Sequence, residues 1–141
     1  MNECMSVVNT GLRGLEVATT RICKVDGDEG KLVYRGYTVE ELAENASFEE
    51  TAFLLLHERL PLKDEVASFS ENLNLKRNIP DSLVTFLKAL PGDTEPMTAL
   101  QAACPILALN DPHCKKSGIE PALKSAENLI SGFAVIIAFF E

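Results

Sequence analysis

Two helix-start signals nine residues apart constrain this chain more than any other feature of its sequence. Thr38 with Glu41 and Ser47 with Glu50 both fit the pattern S/T-x-x-E. In this pattern the hydroxyl accepts a hydrogen bond from a free backbone N–H, and the carboxylate accepts one from the N–H of the capping residue. The sequence therefore predicts two consecutive helices, the second of which ends at Leu60-Pro61.

The second of these helices has a predicted apolar face. The residues expected on it recur at helical spacing and are Phe48, Ala52, Leu55, Leu56 and Arg59. His57 lies on the flank of this stripe, among polar residues. The pattern is typical of a helix that packs on a core.

A β-hairpin is predicted before the first helix, between Glu16 and Tyr34. Aliphatic and β-branched residues flank Asp26-Gly27-Asp28-Glu29-Gly30, a segment with two glycines. Glycine adopts positive φ without steric cost, so this segment is suited to a turn.

Four further helices are predicted after Pro61, over Lys63–Lys76, Asp81–Leu90, about Met97–Leu109, and from Ile119 to the end. The first has no obvious N-cap residue, since Leu62 stands at that position, and this costs about 1 kcal/mol of capping energy unless Asp64 or the backbone compensates. Pro105 predicts a kink or a break in the third near Gln101. The last carries an expected stripe of Leu123, Ala126, Ile130, Ala134 and Ile137. The fold class expected is all-α, mainly helical, with a small N-terminal β-hairpin.

Composition indicates an ordinary soluble globular protein of at most one domain. The chain has 141 residues, 46% of them hydrophobic, and a net charge of -8 that disfavours nucleic acid and anionic membranes as partners. The four cysteines show no regular spacing, and no secretory signal is evident, so reduced thiols and a cytoplasmic location are expected. The longest apolar run, Gly132 to Phe140, is about half of the roughly 20 residues that a membrane span needs.

Two parts of the sequence carry residue types that could perform chemistry, His57 and the segment from Asp111 to Cys114. For His57 a partly buried structural role is favoured over a catalytic one. Asp111, His113 and Cys114 form a cluster that could hold a metal, but it supplies too few ligands for a closed site, so a solvated loop is favoured. The sequence thus predicts no catalytic, cofactor-binding or metal-binding residue.

Two other motifs have alternative interpretations. Asp81-Ser82-Leu83 matches the site where acyl carrier proteins accept a phosphopantetheine arm, but the residues that follow are apolar and basic, which favours an ordinary helix start. The pairs Glu40-Glu41 and Glu49-Glu50 fall in first helical turns, where their negative charge interacts favourably with the positive end of the helix dipole. Arg35 precedes Gly36 in a predicted tight turn, and a structural role is favoured for it.

A family resemblance spans most of the chain. The segments YRGY at 34–37, EELAENASFEE at 40–50 and LLLHERLP at 54–61 resemble the amino-terminal part of citrate synthases and 2-methylcitrate synthases. Gly11 to Leu15, Ala18 to Thr20, Leu90-Pro91 and the pattern Pro96-Met97-x-x-Leu100 continue the similarity.

The resemblance implies that residues 1–141 are the N-terminal portion of a large helical domain. In this family an aspartate and two histidines condense acetyl-CoA with oxaloacetate, and acetyl-CoA is a co-substrate and not a cofactor. Those residues belong to motifs beyond this segment, so the chain alone is expected to be catalytically silent. The expected partners are a second copy or the remainder of a synthase. A 2-methylcitrate synthase fragment and a non-catalytic helical interaction module are the alternatives.

The carboxyl-terminal helix adds one expectation. It ends on its most apolar part, Ile136 to Phe140, which should be covered by other residues. A fragment, or a naturally truncated relative, of a longer protein is therefore expected.

Overall fold

A computed structural model describes residues 18–139. The chain divides into two compact units, Met1–Ala46 and Ser47–Glu141, and each is described by itself. The segment Gly11 to Leu15, the predicted hairpin residues Glu16 and Val17, and Phe140 lie outside the described residues.

The described part of the first unit contains a three-stranded antiparallel sheet. Its strands are β1 (Cys23–Asp26), β2 (Lys31–Tyr34) and β3 (Tyr37–Thr38), in the order β1-β2-β3. Strands β1 and β2 pair from Cys23 opposite Tyr34 to Asp26 opposite Lys31. The predicted hairpin is therefore confirmed, and a third strand extends it.

The third strand follows from the turn at Arg35 and Gly36. Both residues have positive φ, 50° and 97°, and they connect Tyr34 to its pairing partner Tyr37. Two consecutive residues with positive φ match the right-handed twist of the flanking strands, which is why such turns close two-residue hairpins. Arg35 thus occupies a turn position, and its backbone N–H donates to the Ile22 carbonyl at 2.9 Å.

The first unit ends with α1 (Val39–Asn45), which begins as predicted. Thr38 Oγ1 accepts from the Glu41 N–H at 3.2 Å, and a Glu41 carboxylate oxygen accepts from the Thr38 N–H at 2.9 Å. These hydrogen bonds lower the pKa of Glu41, the larger effect coming from the Thr38 backbone N–H. Leu42 is the buried residue of this helix.

The described part of the second unit is helical. Its helices are α2 (Phe48–His57), α3 (Lys63–Leu75), α4 (Asp81–Ala89), α5 (Pro96–Asn110) and α6 (Ile119–Ala138). The second capping box is confirmed, with Ser47 Oγ accepting from Glu50 N–H at 3.2 Å and the Glu50 carboxylate accepting from Ser47 N–H at 2.7 Å. The order and approximate bounds of the helices agree with the sequence prediction.

The structure corrects the predicted end of α2 and shows that α5 is not broken at Pro105. Helix α2 ends at His57 and not at Leu60-Pro61, because Glu58 takes a left-handed conformation with φ 65° and ends the helical hydrogen bonding. Of the kink or break predicted near Gln101, the break is absent, since α5 continues through Pro105. Pro105 removes one backbone hydrogen bond of the helix. The helix nevertheless persists, because α5 packs against both α4 and α6, which supports the turns on either side of the proline.

Two apolar clusters hold the described helices of the second unit together. One contains Leu83 and Leu87 of α4, Ala103 of α5 and Ile136 of α6. The other contains Phe53 of α2 with Phe69 and Leu73 of α3, and Ile130 of α6 packs against it. Helix α6 therefore contributes to both clusters.

The predicted buried faces needed correction in α2 and α6. In α2 the buried residues are Phe53 and Leu54, whereas Phe48 is 67% exposed. In α6 they are Glu127, Ser131, Gly132 and Ile136, whereas the predicted Ile137 is 57% exposed. Ala52 and Leu56 of the α2 stripe and Ile130 of the α6 stripe do pack against the second cluster, so the spacing of apolar residues placed part of each buried face correctly and missed the rest.

The start of α3 is stabilised by Glu65. Leu62 supplies no side-chain cap, but its N–H donates to a Glu65 carboxylate oxygen at 2.7 Å. The expected compensation is therefore present and comes from Glu65, not from Asp64.

Candidate functional site

The second unit contains a cavity of about 580 Å³ that is partly open to solvent. Cavities of this size commonly hold small molecules in proteins. Its apolar lining comes from the segment before α4, the end of α5 and one side of α6: Ile79, Pro80, Leu107, Ala108, Ala122, Ala126, Leu129 and Gly132. Its polar lining consists of Lys76, Asn78, Asn110, Asp111, His113, Cys114, Lys116, Ser125 and Asn128.

The loop between α5 and α6 places the predicted cluster Asp111, His113 and Cys114 at this cavity. Asp111 Oδ1 accepts from the His113 N–H at 2.8 Å, and the Asp111 carbonyl accepts from the Cys114 N–H at 3.3 Å. In the next turn the Lys116 N–H donates to the His113 carbonyl at 2.9 Å. The cluster is therefore a hydrogen-bonded turn, as favoured from the sequence, and it also lines a cavity, which the sequence did not indicate.

Asp111 is negatively charged at neutral pH. Burial alone would raise its pKa, but neighbouring dipoles and charges lower the pKa below its ordinary value. The largest opposing influence is the Ser125 hydroxyl, followed by the backbone N–H and then the imidazole of His113. Within residues 18–139 Ser125 Oγ is buried without a hydrogen bond, so we attribute its influence to its dipole close to the carboxylate.

A buried ion pair lies beside the cavity. Glu127 of α6, only 8% exposed, accepts hydrogen bonds from the Lys76 ammonium and from Asn72 Nδ2, the latter at 2.7 Å. Lys76 also lines the cavity, so its charge there is balanced by Glu127. Glu127, Ser125 and Asn128 were not identified from the sequence, because they lie in the polar run Lys124-Ser125-Ala126-Glu127-Asn128, where nothing marks Glu127 as buried.

His57 belongs to a different part of the second unit. Its ring stacks on Phe53 at a centroid distance of 4.2 Å, and the Phe69 ring meets Phe53 edge-on at 5.5 Å. The Arg59 guanidinium lies 5.3 Å from the centroid of Phe53. His57 does not line the cavity, so the structure does not bring the two histidines together there.

The remaining candidate residues have structural surroundings. Ser82 Oγ accepts a hydrogen bond from Asn110 Nδ2 at 3.3 Å, and Leu83 beside it is fully buried in the α4–α6 core. Cys23, Cys104 and Cys114 are free thiols. Between residues 18 and 139, no group of three or more His, Cys, Asp or Glu side chains is arranged to hold a metal ion. No helix in that range is long and apolar enough to cross a membrane.

Comparison with known proteins places the chain in a family. The family model described as "Citrate synthase, C-terminal domain" matches residues 11–141. The chain belongs to the citrate synthase family. The resemblance seen in the YRGY and LLLHERLP segments is therefore confirmed, and the mainly helical fold agrees with it.

Individual members of the citrate synthase family give the extent of the similarity. A citrate synthase of Deinococcus radiodurans is 34% identical over 134 residues, which are 95% of this chain and 36% of that protein. A 2-methylcitrate synthase of Shewanella oneidensis is 32% identical over 141 residues, covering 99% of this chain and 36% of that protein. The crystal structure of citrate synthase from Pyrobaculum aerophilum superposes with a TM-score of 0.83 at 30% identity, covering 92% of this chain and 34% of that one. The chain thus spans about a third of the length of the relatives it matches.

Proposed function

We propose that this chain is part of a citrate synthase, an acyltransferase that condenses acetyl-CoA with oxaloacetate to give citrate and CoA. The observation that carries the proposal is the family match over residues 11–141, supported by 34% identity to a citrate synthase over 95% of the chain. The reaction would serve entry of acetyl units into the tricarboxylic acid cycle.

A second candidate is 2-methylcitrate synthase activity, in which propionyl-CoA replaces acetyl-CoA. The observation that favours it is the 32% identity to the Shewanella oneidensis 2-methylcitrate synthase over 141 residues. The two activities differ by one methylene in the acyl group, which a pocket distinguishes by only about 10- to 200-fold.

The role proposed for this chain is that of scaffold, and the isolated chain is catalytically silent. The condensation needs a base to remove a proton from the acyl methyl group and donors to stabilise the oxyanions that develop. His57 is packed against Phe53, and the Asp111 carboxylate is held by the backbone N–H of His113. Neither histidine matches a catalytic motif of the family.

The proposed setting is the N-terminal portion of a large helical domain, in a cytoplasmic homodimer completed by the rest of the synthase. The alternative is a helical interaction module that retained the scaffold and lost the chemistry. The reading frame after codon 141 distinguishes them, because a continuation with histidine-containing catalytic motifs supports the synthase, whereas an immediate stop codon supports the module.

The activity is tested by following thiol release from acyl-CoA in the presence of oxaloacetate. The complete gene product and the 141-residue chain are assayed in parallel with acetyl-CoA and with propionyl-CoA, and with oxaloacetate omitted as the control. We expect turnover by the complete product, faster with acetyl-CoA, and none by the 141-residue chain. Faster turnover with propionyl-CoA would support the second candidate, and turnover by the isolated chain would contradict its proposed silence.

A further inference from the structure

The turn between β1 and β2 contains an Asp-Gly pair. Of the aspartates in the sequence, Asp26 is the one that a glycine follows. The backbone nitrogen after an aspartate can reach the side-chain Cγ and close a five-membered ring. Glycine favours this approach, because it has no side chain in the way and its backbone adopts torsions closed to other residues. Gly27 therefore makes Asp26 the aspartate most prone to cyclise.

The structure leaves room for this reaction at Gly27. Gly27 is exposed, and beyond its chain neighbours no heavy atom lies within 4 Å of the position where a Cβ would stand. Asp26 Oδ1 accepts a hydrogen bond from the Glu29 N–H at 3.0 Å. This bond holds the carboxyl group on the C-terminal side of Asp26, the side of the Gly27 nitrogen, and withdraws electron density from Cγ. A ring at this place, and a water molecule attacking it, meet no steric obstacle from outside the turn.

The charges around Asp26 also permit the reaction. Cyclisation proceeds through the neutral carboxyl group, because a carboxylate is a poor electrophile, and a salt bridge would favour the ionised form. Lys31 is the backbone pairing partner of Asp26, but its ammonium is bound to Glu29 at 2.6 Å. The cation opposite Asp26 is therefore engaged by another carboxylate.

The other aspartates are less suited to cyclise. Asp28 lies in the same turn, but a glutamate follows it and places a side chain beside the attacking nitrogen. Asp64 and Asp81 lie in the first turns of α3 and α4, where the backbone torsions are those of a helix. Asp93 precedes a β-branched threonine, and Asp111 precedes a proline, whose nitrogen carries no hydrogen. Asp28 therefore serves as an internal comparison within the same turn.

We propose that Asp26 is a site of spontaneous isoaspartate formation. The Gly27 nitrogen bonds to Cγ of Asp26, and the carboxyl hydroxyl leaves with the amide hydrogen as water, which gives a succinimide. Water then adds to the backbone carbonyl of Asp26 and breaks its bond to the Gly27 nitrogen, so that the chain continues through Cγ. Addition of water at Cγ instead restores aspartate. One water is lost and one is gained, so the step needs no oxidant or reductant.

The modified turn differs from the original in two ways. The backbone gains one methylene at the residue that pairs with Lys31, so the pairing at this end of β1 and β2 changes. A free α-carboxylate also appears in an exposed turn, and this is the group that S-adenosylmethionine-dependent isoaspartyl methyltransferases esterify. The inference rests on the hairpin and not on the proposed function, and its test measures a covalent linkage and not turnover.

The test is prolonged incubation of the folded complete gene product at physiological temperature and mildly acidic pH, followed by tryptic digestion. Cleavage after Lys24 and Lys31 releases residues 25–31, which contain both Asp26 and Asp28. Electron-transfer fragmentation in a mass spectrometer cleaves the Cα–Cβ bond that isoaspartate adds to the backbone, and so locates the linkage. We expect isoaspartate to accumulate at residue 26 at least about tenfold faster than at residue 28. Equal rates at the two residues would overturn the proposal, as would an unchanged residue 26 in the protein while a synthetic peptide of residues 25–31 isomerises under the same conditions.

Two glycine variants form a matched pair of controls. Gly27→Ala places a methyl group beside the attacking nitrogen and should slow isoaspartate formation at residue 26 by about tenfold. Gly92→Ala, at an exposed glycine with equally open surroundings, should leave that rate within about twofold of the unmodified protein. Neither glycine has positive φ, so alanine fits both without backbone strain. Equal rates in the two variants would contradict attack by the Gly27 nitrogen.

Discussion

At the scale of single residues, Glu127 is the side chain whose environment departs most from what its type suggests. It is 8% exposed and accepts hydrogen bonds from Asn72 of α3 and from Lys76, the residue directly after α3, both more than fifty residues earlier in the sequence. A carboxylate removed from water loses hydration energy, which an opposite charge and hydrogen bonds offset. The hydrogen bonds of Asn72 and Lys76 to Glu127 therefore connect α6 to the C-terminal end of α3 beside the cavity.

Lys76→Met should lower the free energy of unfolding by about 2 kcal/mol, because it leaves the Glu127 carboxylate buried without its counter-charge. The value is below that of a fully buried pair since the Lys76 side chain is 23% exposed. The double variant with Glu127→Gln should recover part of the loss, with a coupling energy of about 1 kcal/mol or more. Urea denaturation followed by circular dichroism measures both.

The control for this cycle is Lys124→Met, which removes the exposed pair between Lys124 and Glu120 at 2.8 Å. An exposed pair gains little over hydration by water, so no measurable change is expected. A loss as large as that of Lys76→Met would show that the buried position of Glu127 is not the cause.

Ser131 leads to a second prediction at the residue scale. It is 2% exposed, and within residues 18–139 its hydroxyl has no hydrogen-bond partner. Ser131→Ala should therefore raise the free energy of unfolding by about 1 kcal/mol, since it removes an unsatisfied polar group and places a better helix former in α6.

The comparison variant for Ser131 is Ser68→Ala, at an exposed α3 position where the hydroxyl donates to the Asp64 carbonyl at 3.0 Å. Ser68→Ala measures the change in the free energy of unfolding that comes from the higher helix propensity of alanine, without the removal of a buried, unsatisfied hydroxyl. The two alanine variants are compared by their urea midpoints, and equal changes would mean that the buried hydroxyl of Ser131 carries no cost.

At the scale of helices, the junction between α2 and α3 is organised by one carboxylate. Glu65 accepts from both Arg59 Nη atoms, at 2.5 and 2.8 Å, and from the Leu62 N–H at 2.7 Å. Arg59 makes the largest contribution and Leu62 the next, and together they lower the pKa of Glu65 from 4.5 to about 2. One residue thus caps α3 and also joins it to the segment that follows α2.

Because the folded pKa of Glu65 is below its unfolded value, the unfolded state binds more protons between those values. The stabilisation by Glu65 should therefore be fully present above about pH 4.5 and be lost as the pH falls toward 2. Urea midpoints at several pH values should decrease across this window less steeply in Glu65→Gln than in the unmodified chain.

Glu71→Gln, on the exposed surface of the same helix, is the control for pH dependence. We expect it to retain the slope of the unmodified chain. If Glu65→Gln also retains that slope, the hydrogen bonds to Arg59 and Leu62 do not contribute to acid sensitivity.

At the scale of the whole molecule, the positions of the two histidines bear on the proposed division between scaffold and catalytic residues. His57 stacks on Phe53 in the α2–α3 cluster, and His113 lies in the loop at the cavity. In the complete gene product, His57→Phe and His113→Gln should therefore change kcat by less than about twofold. Loss of a general acid or base would lower it by about 10²- to 10⁴-fold.

The measurement is the thiol-release assay at saturating acetyl-CoA and oxaloacetate. His57→Phe keeps an aromatic ring against Phe53, so it separates a chemical role from a packing role. A decrease of about a hundredfold in either folded variant would assign a catalytic role to that histidine and contradict the scaffold proposal.

The amino-acid sequence by itself determined the features that depend on neighbours a few residues away. The caps at Thr38 and Ser47, the turn at Arg35-Gly36 and the order of the helices were all predicted, because a cap or a turn is formed by residues within four positions of each other. The sequence motifs also identified the citrate synthase family, which the comparisons confirmed.

Only the tertiary structure decided which helical faces are buried and where the cavity lies. The sequence placed Phe48 and Ile137 on apolar stripes, yet both are exposed, while Glu127 is buried through its contacts with α3. Helix periodicity specifies that a helix has an apolar side but not how many neighbours it will meet. The partners of Glu127 and the cavity beside Lys116 depend on contacts between distant segments, and those contacts are set by the packing of the helices as a group.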